Sequence, residues 1–330
     1  MQFIQKLPES FRDTFKLSNF PQGDLAEISR LIQLGPEDKT LIDFLRKFEP
    51  ISHLFVNTQV IARLTEQVIE HAHSKNVRHL ELRFSPFYMD DAHRLSHDQI
   101  VQAVIDGRDR AYKSTGLWSP LILIVERQLG LEPAAEILRL AKKYQSQGVV
   151  AIDLANDEYH FPPGPYAAIF QEAKAAGLYT TVHAGEGGNL DNVSVALKDL
   201  KADRIGHGVS AALSPEAMSL LAKQRTPVEI CLTSNIQTGA AKSFRDHPLR
   251  HFIEAGLSVS INTDDPAISA IDWDAEWLTA CREFGLTFAD IRRITEDSIN
   301  AAFLDKASAN SLRTRILLEL EELARSFSLG

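Results

Sequence analysis

The chain has 330 residues, of which 44% are hydrophobic and 24% are charged, as in an ordinary soluble globular protein. Its formal net charge of −9 disfavours a nucleic-acid-binding protein, because such a protein needs a basic face. The apolar runs, such as Leu121–Val125, are far shorter than the roughly 20 residues of a membrane span. We therefore expect neither a nucleic acid nor a membrane as partner, whereas a small neutral substrate is compatible with the charge.

Two further features bear on the compartment. The N-terminus from Met1 to Lys6 lacks the apolar core of a signal peptide. The two cysteines, Cys231 and Cys281, form no CxxC pair, which argues against a disulfide framework and against a thiolate zinc site. We predict a cytoplasmic protein, and the sequence does not indicate its oligomeric state.

The predicted elements begin with helices and then alternate between strand and helix. Residues 25–32 and 41–45 are amphipathic pieces, and residues 56–76 predict a long helix. Ser96-His-Asp-Gln99 has the form of a capping box and begins a helix that extends to about Ser114. The chain after Trp273 is predicted to be helical. Buried strands are predicted at residues 79–86, 120–125, 149–155, 178–182, 204–208, 228–232 and 257–262, with helices between them at 133–144, 165–176, 192–200, 214–223 and 248–255.

This alternation predicts either a (β/α)8 barrel or a doubly wound sheet. Polar signatures recur at the C-terminal end of strand after strand, which is the barrel pattern, whereas a doubly wound sheet gathers them at one crevice. No GxGxxG or GxxxxGK[ST] motif supports a nucleotide-phosphate cradle. We predict a TIM (β/α)8 barrel with extra helices, built as a single domain over residues 1–330, because no linker or low-complexity segment divides the chain.

The number of predicted strands is one short. A closed barrel of this type needs eight strands, and the sequence predicts seven. The missing strand should precede residue 79, where residues 2–7 are the only segment with extended character. We expect the first barrel strand to be deleted or replaced, with residues 2–7 inserted in the gap or the region disordered.

The segment Thr181–Glu186, with sequence TVHAGE, ends the fourth predicted strand. Gly187 and Gly188 follow it, and then a cap-rich stretch that begins a helix. His183 and Glu186 therefore lie where a strand opens into its loop, which is where parallel α/β folds bind ligands. The histidine is a candidate metal ligand and the glutamate a candidate proton shuttle. Taken alone, the segment is equally consistent with a capped strand end that faces solvent.

Three more strand ends carry polar residues. His207 lies between two glycines after the fifth strand, and glycine allows a substrate to approach the backbone. Residues 229–235 end the sixth strand with hydroxyl and amide groups. Asp264 and Asp265 follow the last strand as adjacent carboxylates, which repel unless a cation holds one of them. Alone, His207 is more simply a hydrogen-bonded core histidine and the aspartate pair a turn. Four polar strand ends on one barrel are harder to explain in that way.

These motifs, in this order and at this spacing, resemble the adenosine deaminase family of metal-dependent (β/α)8-barrel hydrolases. The resemblance extends from about residue 41 to the C-terminal helices. The form of residues 231–235 is more similar to the adenosine-specific bacterial branch than to the adenine or aminofutalosine branches. The motifs are HAGE at 183–186, RIGHG at 204–208, CLTSNIQT at 231–238, HP at 247–248, SINTDDP at 260–266, ELRFSP at 81–86 and DLA at 153–155.

The resemblance implies hydrolytic deamination of adenosine or deoxyadenosine to inosine or deoxyinosine, by a water that zinc activates. It implies that His183 and Asp264 are zinc ligands. It implies that Glu186 moves a proton to the purine ring and that His207 orients the attacking hydroxide. Asp265 would hydrogen-bond the purine. The implied partner is thus a small purine nucleoside, and we expect it to be preferred over AMP because no Arg or Lys cluster on these motifs awaits a phosphate.

Two features depart from the family pattern. Asn156 stands where the family has a glycine whose backbone contacts the purine, so we expect its bulk to affect the fit of the substrate. The family also has a His-x-His pair on its first barrel strand, whereas no histidine here precedes His53. The pair His71 and His73 falls in a predicted helix, where residues i and i+2 point to different faces, so it does not replace the missing pair.

The zinc site is therefore predicted to be incomplete, with two protein ligands where a catalytic zinc usually has three. Two functions stay open. The chain is either a zinc-dependent adenosine deaminase or a catalytically impaired or non-catalytic homologue that keeps the barrel and binds a nucleoside. The retained acidic and imidazole side chains favour descent from an enzyme, since packing requires none of them. With two ligands alone we expect weak zinc binding and poor deamination.

Overall fold

One all-parallel sheet organises the chain. The computed structural model describes residues 25–52, 54–90, 95–187 and 189–327. Within these ranges, each strand pairs with the next strand in sequence, in parallel, from the first to the seventh. The strands are β1 Leu82–Phe84, β2 Leu121–Glu126, β3 Val149–Ala155, β4 Tyr179–Ala184, β5 Arg204–His207, β6 Val228–Ile230 and β7 Val259–Ile261.

Helices connect the strands and extend the chain at both ends. None of the described helices is long and apolar enough to cross a membrane. The described helices are α1 Leu25–Ile32, α2 Leu41–Arg46, α3 Glu49–Ser52, α4 Thr58–Ser74, α5 Pro86–Met89, α6 His97–Thr115, α7 Leu131–Tyr144, α8 Ala167–Ala175, α9 Asn192–Lys198, α10 Pro215–Gln224, α11 Leu232–Gln237, α12 Leu249–Glu254, α13 Pro266–Ser269, α14 Trp273–Phe284, α15 Phe288–Ala301 and α16 Lys306–Ser326.

Most of the sheet is buried on both faces, whereas β1 is half-buried. Leu121, Ile122 and Leu123 of β2 have no exposed surface, as expected of a parallel strand that is covered on each side. Helix α7 packs against β2 and β3, and its Ile137 and Leu140 belong to the same apolar cluster as the strands. Burying each such aliphatic side chain contributes about 1.5–3 kcal/mol, so this layer supplies the rigid base on which the strand ends are held.

Helices α4 and α6 pack unusually closely at Gly107 of α6. A Cβ atom at this position would lie 2.2 Å from the carbonyl oxygen of Ala62 in α4, so only glycine allows the approach. Helix α6 begins with the predicted capping box, in which Ser96 Oγ accepts from the Gln99 amide and Gln99 Oε1 accepts from the Ser96 amide. The pair His71 and His73 lies in α4, as predicted.

The predicted TIM (β/α)8 fold is confirmed, with seven parallel strands in the described residues. Within these residues β1 and β7 do not pair with each other, so the sheet has two edges. The predicted insertion of residues 2–7 falls outside the described part of the chain and stays a prediction, as does the single domain over residues 1–330.

Several strand boundaries differ from the predicted ones, among them those of the first and sixth strands. Strand β1 is confined to Leu82–Phe84 instead of residues 79–86, because it pairs only with β2 among the described residues. The sixth strand ends at Ile230 instead of residue 232. The chain turns there into α11, where the Asn235 amide donates to the Cys231 carbonyl, and the hydroxyl and amide groups of residues 233–235 lie on a helix.

Candidate active site

Three strand ends bring a compact set of polar side chains together. His183 lies near the end of β4, His207 ends β5, and Asp264 follows β7. The potential ligand atoms of these three residues all lie within 4.8 Å of one another. The reason is the topology, since the carboxyl ends of parallel barrel strands meet on one rim. Residues 81 positions apart along the chain, from His183 to Asp264, thereby form one cluster.

Three of the predicted site residues have left-handed backbone. The φ angles are 61° at His207, 55° at Asp264 and 76° at Asn156. A residue other than glycine adopts this region at a cost of order 1–3 kcal/mol, and such strain concentrates at functional sites. At these positions the strand ends sharply, and the orientation of the side chain is set by the backbone as well as by packing.

His183 is held by Asp153, a fully buried residue of β3. Nδ1 of His183 lies 3.0 Å from Oδ1 of Asp153, which leaves Nε2 for the cluster. Burial lowers the pKa of His183, but the charge and hydrogen bond of Asp153 outweigh burial and raise this pKa to about 9. A carboxylate behind a histidine fixes the ring and increases the basicity of its free nitrogen, which is the usual support of a metal-binding histidine.

A buried network of opposite charges lies beneath this pair. Arg83 of β1 donates to Asp153 at 2.7 Å and to Glu229 at 3.0 Å. Arg204 of β5 pairs with Glu229 at 2.7 Å and with Glu81 at 2.6 Å. Burial would raise the pKa of Glu229, but Arg83 and Arg204 outweigh it and hold this pKa at about 2. Because every charge is paired, removing a single member would leave a buried charge unpaired.

Glu186 is buried beside His207. Its Oε2 lies 3.5 Å from Nε2 of His207, and only 9% of the residue is exposed. Burial raises the pKa of Glu186, a positive charge on His207 would lower it, and the charge of Asp264 raises it further. A carboxyl group with a raised pKa more readily carries a proton that it can later release, as a general acid–base requires.

The loop that carries Glu186 is anchored by Glu158. The carboxylate of Glu158 accepts from the backbone amides of Gly185 at 2.7 Å, Glu186 at 2.9 Å and Gly187 at 3.3 Å, and from the Asn192 side chain at 2.9 Å. Glu158 is itself 1% exposed. One buried carboxylate thus fixes the backbone on both sides of the candidate proton shuttle.

Asp264 and Asp265 are in different environments. Ser234 of α11 donates to Oδ2 of Asp264 at 2.7 Å. Burial raises the pKa of Asp265 well above its usual value, and the neighbouring charge of Asp264 raises it further. The adjacent carboxylates therefore divide into one that a hydroxyl group supports and one that favours its protonated, hydrogen-bond-donating form.

Asn156 lies on the same rim but outside the three-residue cluster. It follows β3 directly, and its Nδ2 donates to Oε2 of Glu126, at the end of β2, at 3.3 Å. The backbone at this position still has the left-handed conformation that glycine adopts without strain. The Asn156 side chain, which stands where a glycine would have a hydrogen atom, is thus directed toward the end of β2.

Several residues that shape the site were not predicted from the sequence. Asp153 had a usable signal, because a carboxylate in an otherwise apolar strand needs a buried partner. Arg127 had none, yet its fully buried guanidinium donates to the carbonyls of Leu154, Ala155, Phe161 and His183 and so ties β3 to β4. The sequence likewise did not indicate the supporting roles of Glu158, Ser234, Asn235 and His247.

Comparison with known proteins gives a consistent result. The family model described as adenosine deaminase matches residues 13–318. The adenosine deaminase of Serratia proteamaculans is 36% identical, over 90% of this chain and 89% of that protein. The crystal structure of an Arabidopsis N6-mAMP deaminase is similar with a TM-score of 0.79 and 28% identity, covering 95% of this chain and 98% of that chain. An amidohydrolase from Burkholderia ambifaria with bound Zn has a TM-score of 0.82 at 23% identity, covering 98% of this chain and 85% of that chain, which shows a shared fold.

Proposed function

Because the chain belongs to the adenosine deaminase family, we propose that it hydrolyses adenosine or deoxyadenosine to inosine or deoxyinosine and ammonia. The observation that carries the proposal is the convergence of His183, His207 and Asp264 within 4.8 Å, with Glu186 beside them. Packing alone does not require two imidazoles and two carboxyl groups on one barrel rim. We further propose that the chain acts as a single domain in the cytoplasm.

The donor set suits a zinc ion held by His183 and Asp264. The Asp153 carboxylate behind His183 leaves Nε2 as the free ligand atom, and the Ser234 hydroxyl supports the Asp264 carboxylate. Imidazole and carboxylate are both ordinary zinc ligands. When bound, zinc lowers the pKa of water to about 7 and so supplies a hydroxide nucleophile at neutral pH.

The remaining side chains act on the substrate and its protons. Glu186, with its raised pKa, would deliver a proton to a ring nitrogen of the purine as hydroxide adds to C6. Asp265, whose pKa burial and Asp264 raise well above its usual value, would hydrogen-bond another ring nitrogen. His207 would orient the attacking hydroxide, and Asn156 would lie at the edge of the purine site.

A specific observation supports a second candidate function. A catalytic zinc usually has three protein ligands, and no histidine precedes His53 to supply the His-x-His pair of the family. A chain in which only His183 and Asp264 bind zinc would be a catalytically impaired homologue that binds a nucleoside on the same rim. The two functions differ in bound zinc and in turnover, so one preparation distinguishes them.

The proposal favours a nucleoside over a nucleotide. Three arginines near the strand ends are already engaged, since Arg83 and Arg204 pair with carboxylates and Arg127 donates to backbone carbonyls. None of these three is left to bind a phosphate, which usually needs a bidentate arginine or several donors. Because the similar Arabidopsis structure is named an N6-mAMP deaminase, N6-mAMP is the competing substrate to test.

The test is a Glu186→Gln substitution with zinc and ammonia measured on the same preparations. We expect ammonia release from adenosine to fall by about 10²–10⁴-fold while zinc content and the unfolding transition stay unchanged. Glu172→Gln, an exposed substitution on α8 with the same change of charge, is the matched control. An unchanged rate in Glu186→Gln would remove this residue from the mechanism.

The same assay includes AMP and N6-methyl-AMP as substrates. Faster turnover of either nucleotide than of adenosine would contradict the proposed substrate class. A wild-type protein that contains no zinc and releases no ammonia would support the second function instead.

A further inference from the structure

A chain of buried hydrogen bonds reaches His207 from outside the site. The backbone amide of Leu249, in the first turn of α12, donates to Nδ1 of His247 at 3.1 Å. Nε2 of His247 lies 3.1 Å from Oδ1 of Asn235, and Nδ2 of Asn235 lies 2.9 Å from Nδ1 of His207. The three side chains are 4%, 0% and 2% exposed, so water does not compete for these contacts.

The backbone amide of Leu249 determines which ring nitrogen carries the proton in His247 and in His207. A backbone N–H only donates, so Nδ1 of His247 must be an unprotonated acceptor. A neutral imidazole has one N–H, which is then on Nε2 of His247 and donates to Oδ1 of Asn235. The amide orientation of Asn235 follows, and its NH2 group faces Nδ1 of His207, which must also accept. The single proton of neutral His207 is therefore on Nε2.

The environment of His247 agrees with this assignment. Burial lowers the pKa of His247 to about 4, and a positive charge on His207 would lower it further. His247 is thus neutral at physiological pH. A protonated His247 would direct two N–H groups at each other where Nδ1 meets the Leu249 amide. That arrangement would also leave the first-turn amide of α12 without an acceptor.

We propose that Asn235 and His247 are positioning residues that hold His207 as its Nε2–H tautomer, so that His207 acts in the site as a hydrogen-bond donor and not as a metal ligand. A metal ligand needs a lone pair, and in this tautomer Nε2 has none to offer. Of the three residues in the cluster, His183 and Asp264 are then the ones whose outer atoms, Nε2 and a carboxylate oxygen, suit a metal. The assignment thereby chooses between two roles that the 4.8 Å geometry alone would allow for His207.

The tautomer also specifies what His207 binds. Its Nε2 lies 3.5 Å from Oε2 of Glu186, beside the space that the potential ligand atoms of His183, His207 and Asp264 share. A group placed there must accept a hydrogen bond, as a hydroxide oxygen does with its three lone pairs. This use in catalysis rests on the proposed function, whereas the tautomer itself does not.

The test is a long-range ¹H–¹⁵N correlation spectrum of the full chain with ¹⁵N-labelled histidine. The signals of His207 are assigned as those lost in His207→Gln. We expect the wild-type protein to have the proton of His207 on Nε2 and none on Nδ1. Asn235→Asp is isosteric but presents only acceptors, so we expect Nδ1 of His207 to become protonated in that variant.

Two further variants make the test specific. Asn310→Asp introduces the same charge on the exposed surface of α16 and should leave the His207 signals unchanged. His247→Ala removes the donor that orients Asn235, so the amide can turn, and Nδ1 of His207 should become protonated in part of the population. A wild-type proton on Nδ1, an Nε2 without a proton, or an Asn235→Asp spectrum identical to the wild type would each overturn the proposal.

Kinetics provide the second measurement. If the chain deaminates adenosine, Asn235→Asp should lower kcat by about 10–100-fold, as loss of a supporting partner does, with KM within about twofold of the wild type. A loss of kcat that is accompanied by a comparable loss in the free energy of unfolding would instead indicate a merely structural role and would contradict the proposal. A wild-type protein without activity would refute the proposed function, and the tautomer would still be decided by the spectrum.

Discussion

Substitution of Glu158 by glutamine should destabilise the loop that carries Glu186. Oε1 of Glu158 accepts from the Gly185 amide and the Asn192 side chain, and Oε2 accepts from the amides of Glu186 and Gly187. Glutamine keeps one of these oxygens and replaces the other with an NH2 group. In either orientation that NH2 group faces two donors, because each oxygen of the carboxylate accepts from two.

The magnitude follows from the number of bonds that cannot be rebuilt. The amide of Asn192 can turn and present its oxygen, so the least damaging orientation loses one charged hydrogen bond, to Gly185, and the worse one loses two. A hydrogen bond to a charged group contributes about 1.5–3 kcal/mol, and a buried donor without a partner costs a similar amount. We therefore expect Glu158→Gln to lower the free energy of unfolding by about 2–5 kcal/mol.

The measurement is equilibrium unfolding in urea at neutral pH, followed by circular dichroism. Glu172→Gln is the control, because its carboxylate is 60% exposed and, among the described residues, forms a surface ion pair with Lys142, so its effect should stay within about 0.5 kcal/mol. A Glu158→Gln protein within about 0.5 kcal/mol of the wild type would refute the reasoning. It would mean that the four bonds are replaced by water or by movement of the loop.

Two other substitutions test packing and charge. Gly107→Ala should lower the free energy of unfolding by about 1–3 kcal/mol, since its Cβ would lie 2.2 Å from the Ala62 carbonyl oxygen. Gly164→Ala is the control and should be tolerated, because the nearest neighbour of its Cβ would lie at 4.0 Å. Equal effects of the two substitutions in urea unfolding would contradict this. Burial would raise the pKa of Glu81, but Arg204 outweighs it and holds this pKa at about 2. The ion pair therefore stabilises the protein fully above about pH 4.5 and less as the pH falls toward 2. In Glu81→Gln the free energy of unfolding should change less between about pH 5 and pH 3 than in the wild type, and an equal change would count against the pair.

The local pattern of the sequence was sufficient for the elements and for the principal strand-end residues. Alternating apolar runs and helical periods predicted the seven strands, because burial on both faces of a parallel strand leaves a continuous apolar segment. The capping box at Ser96 was recognisable because its two hydrogen bonds join residues three apart. Polar residues at strand ends indicated the rim, since all parallel strands end on the same side.

The end of the sixth strand was not determined locally. Residues 228–232 are apolar enough to continue as a strand, but pairing with β7 stops at Ile230, and α11 begins at Leu232. The helix places Ser234 next to Asp264 and Asn235 next to His207. No window of sequence around residue 232 contains these partners, so the choice between strand and helix depends on contacts with other strand ends.

The supporting residues of the site were decided by the tertiary structure alone. Glu158 meets Gly185 across 27 positions, and Asn235 meets His207 across 28, through bonds that exist only once the barrel strands are side by side. A sequence shows which residues can donate or accept a proton, but not which of them face each other. The proton on Nε2 of His207 depends on a backbone amide in α12, on His247 and on Asn235 together. Such a property belongs to a network, because each bond sets the next and removing any one partner leaves the others undetermined.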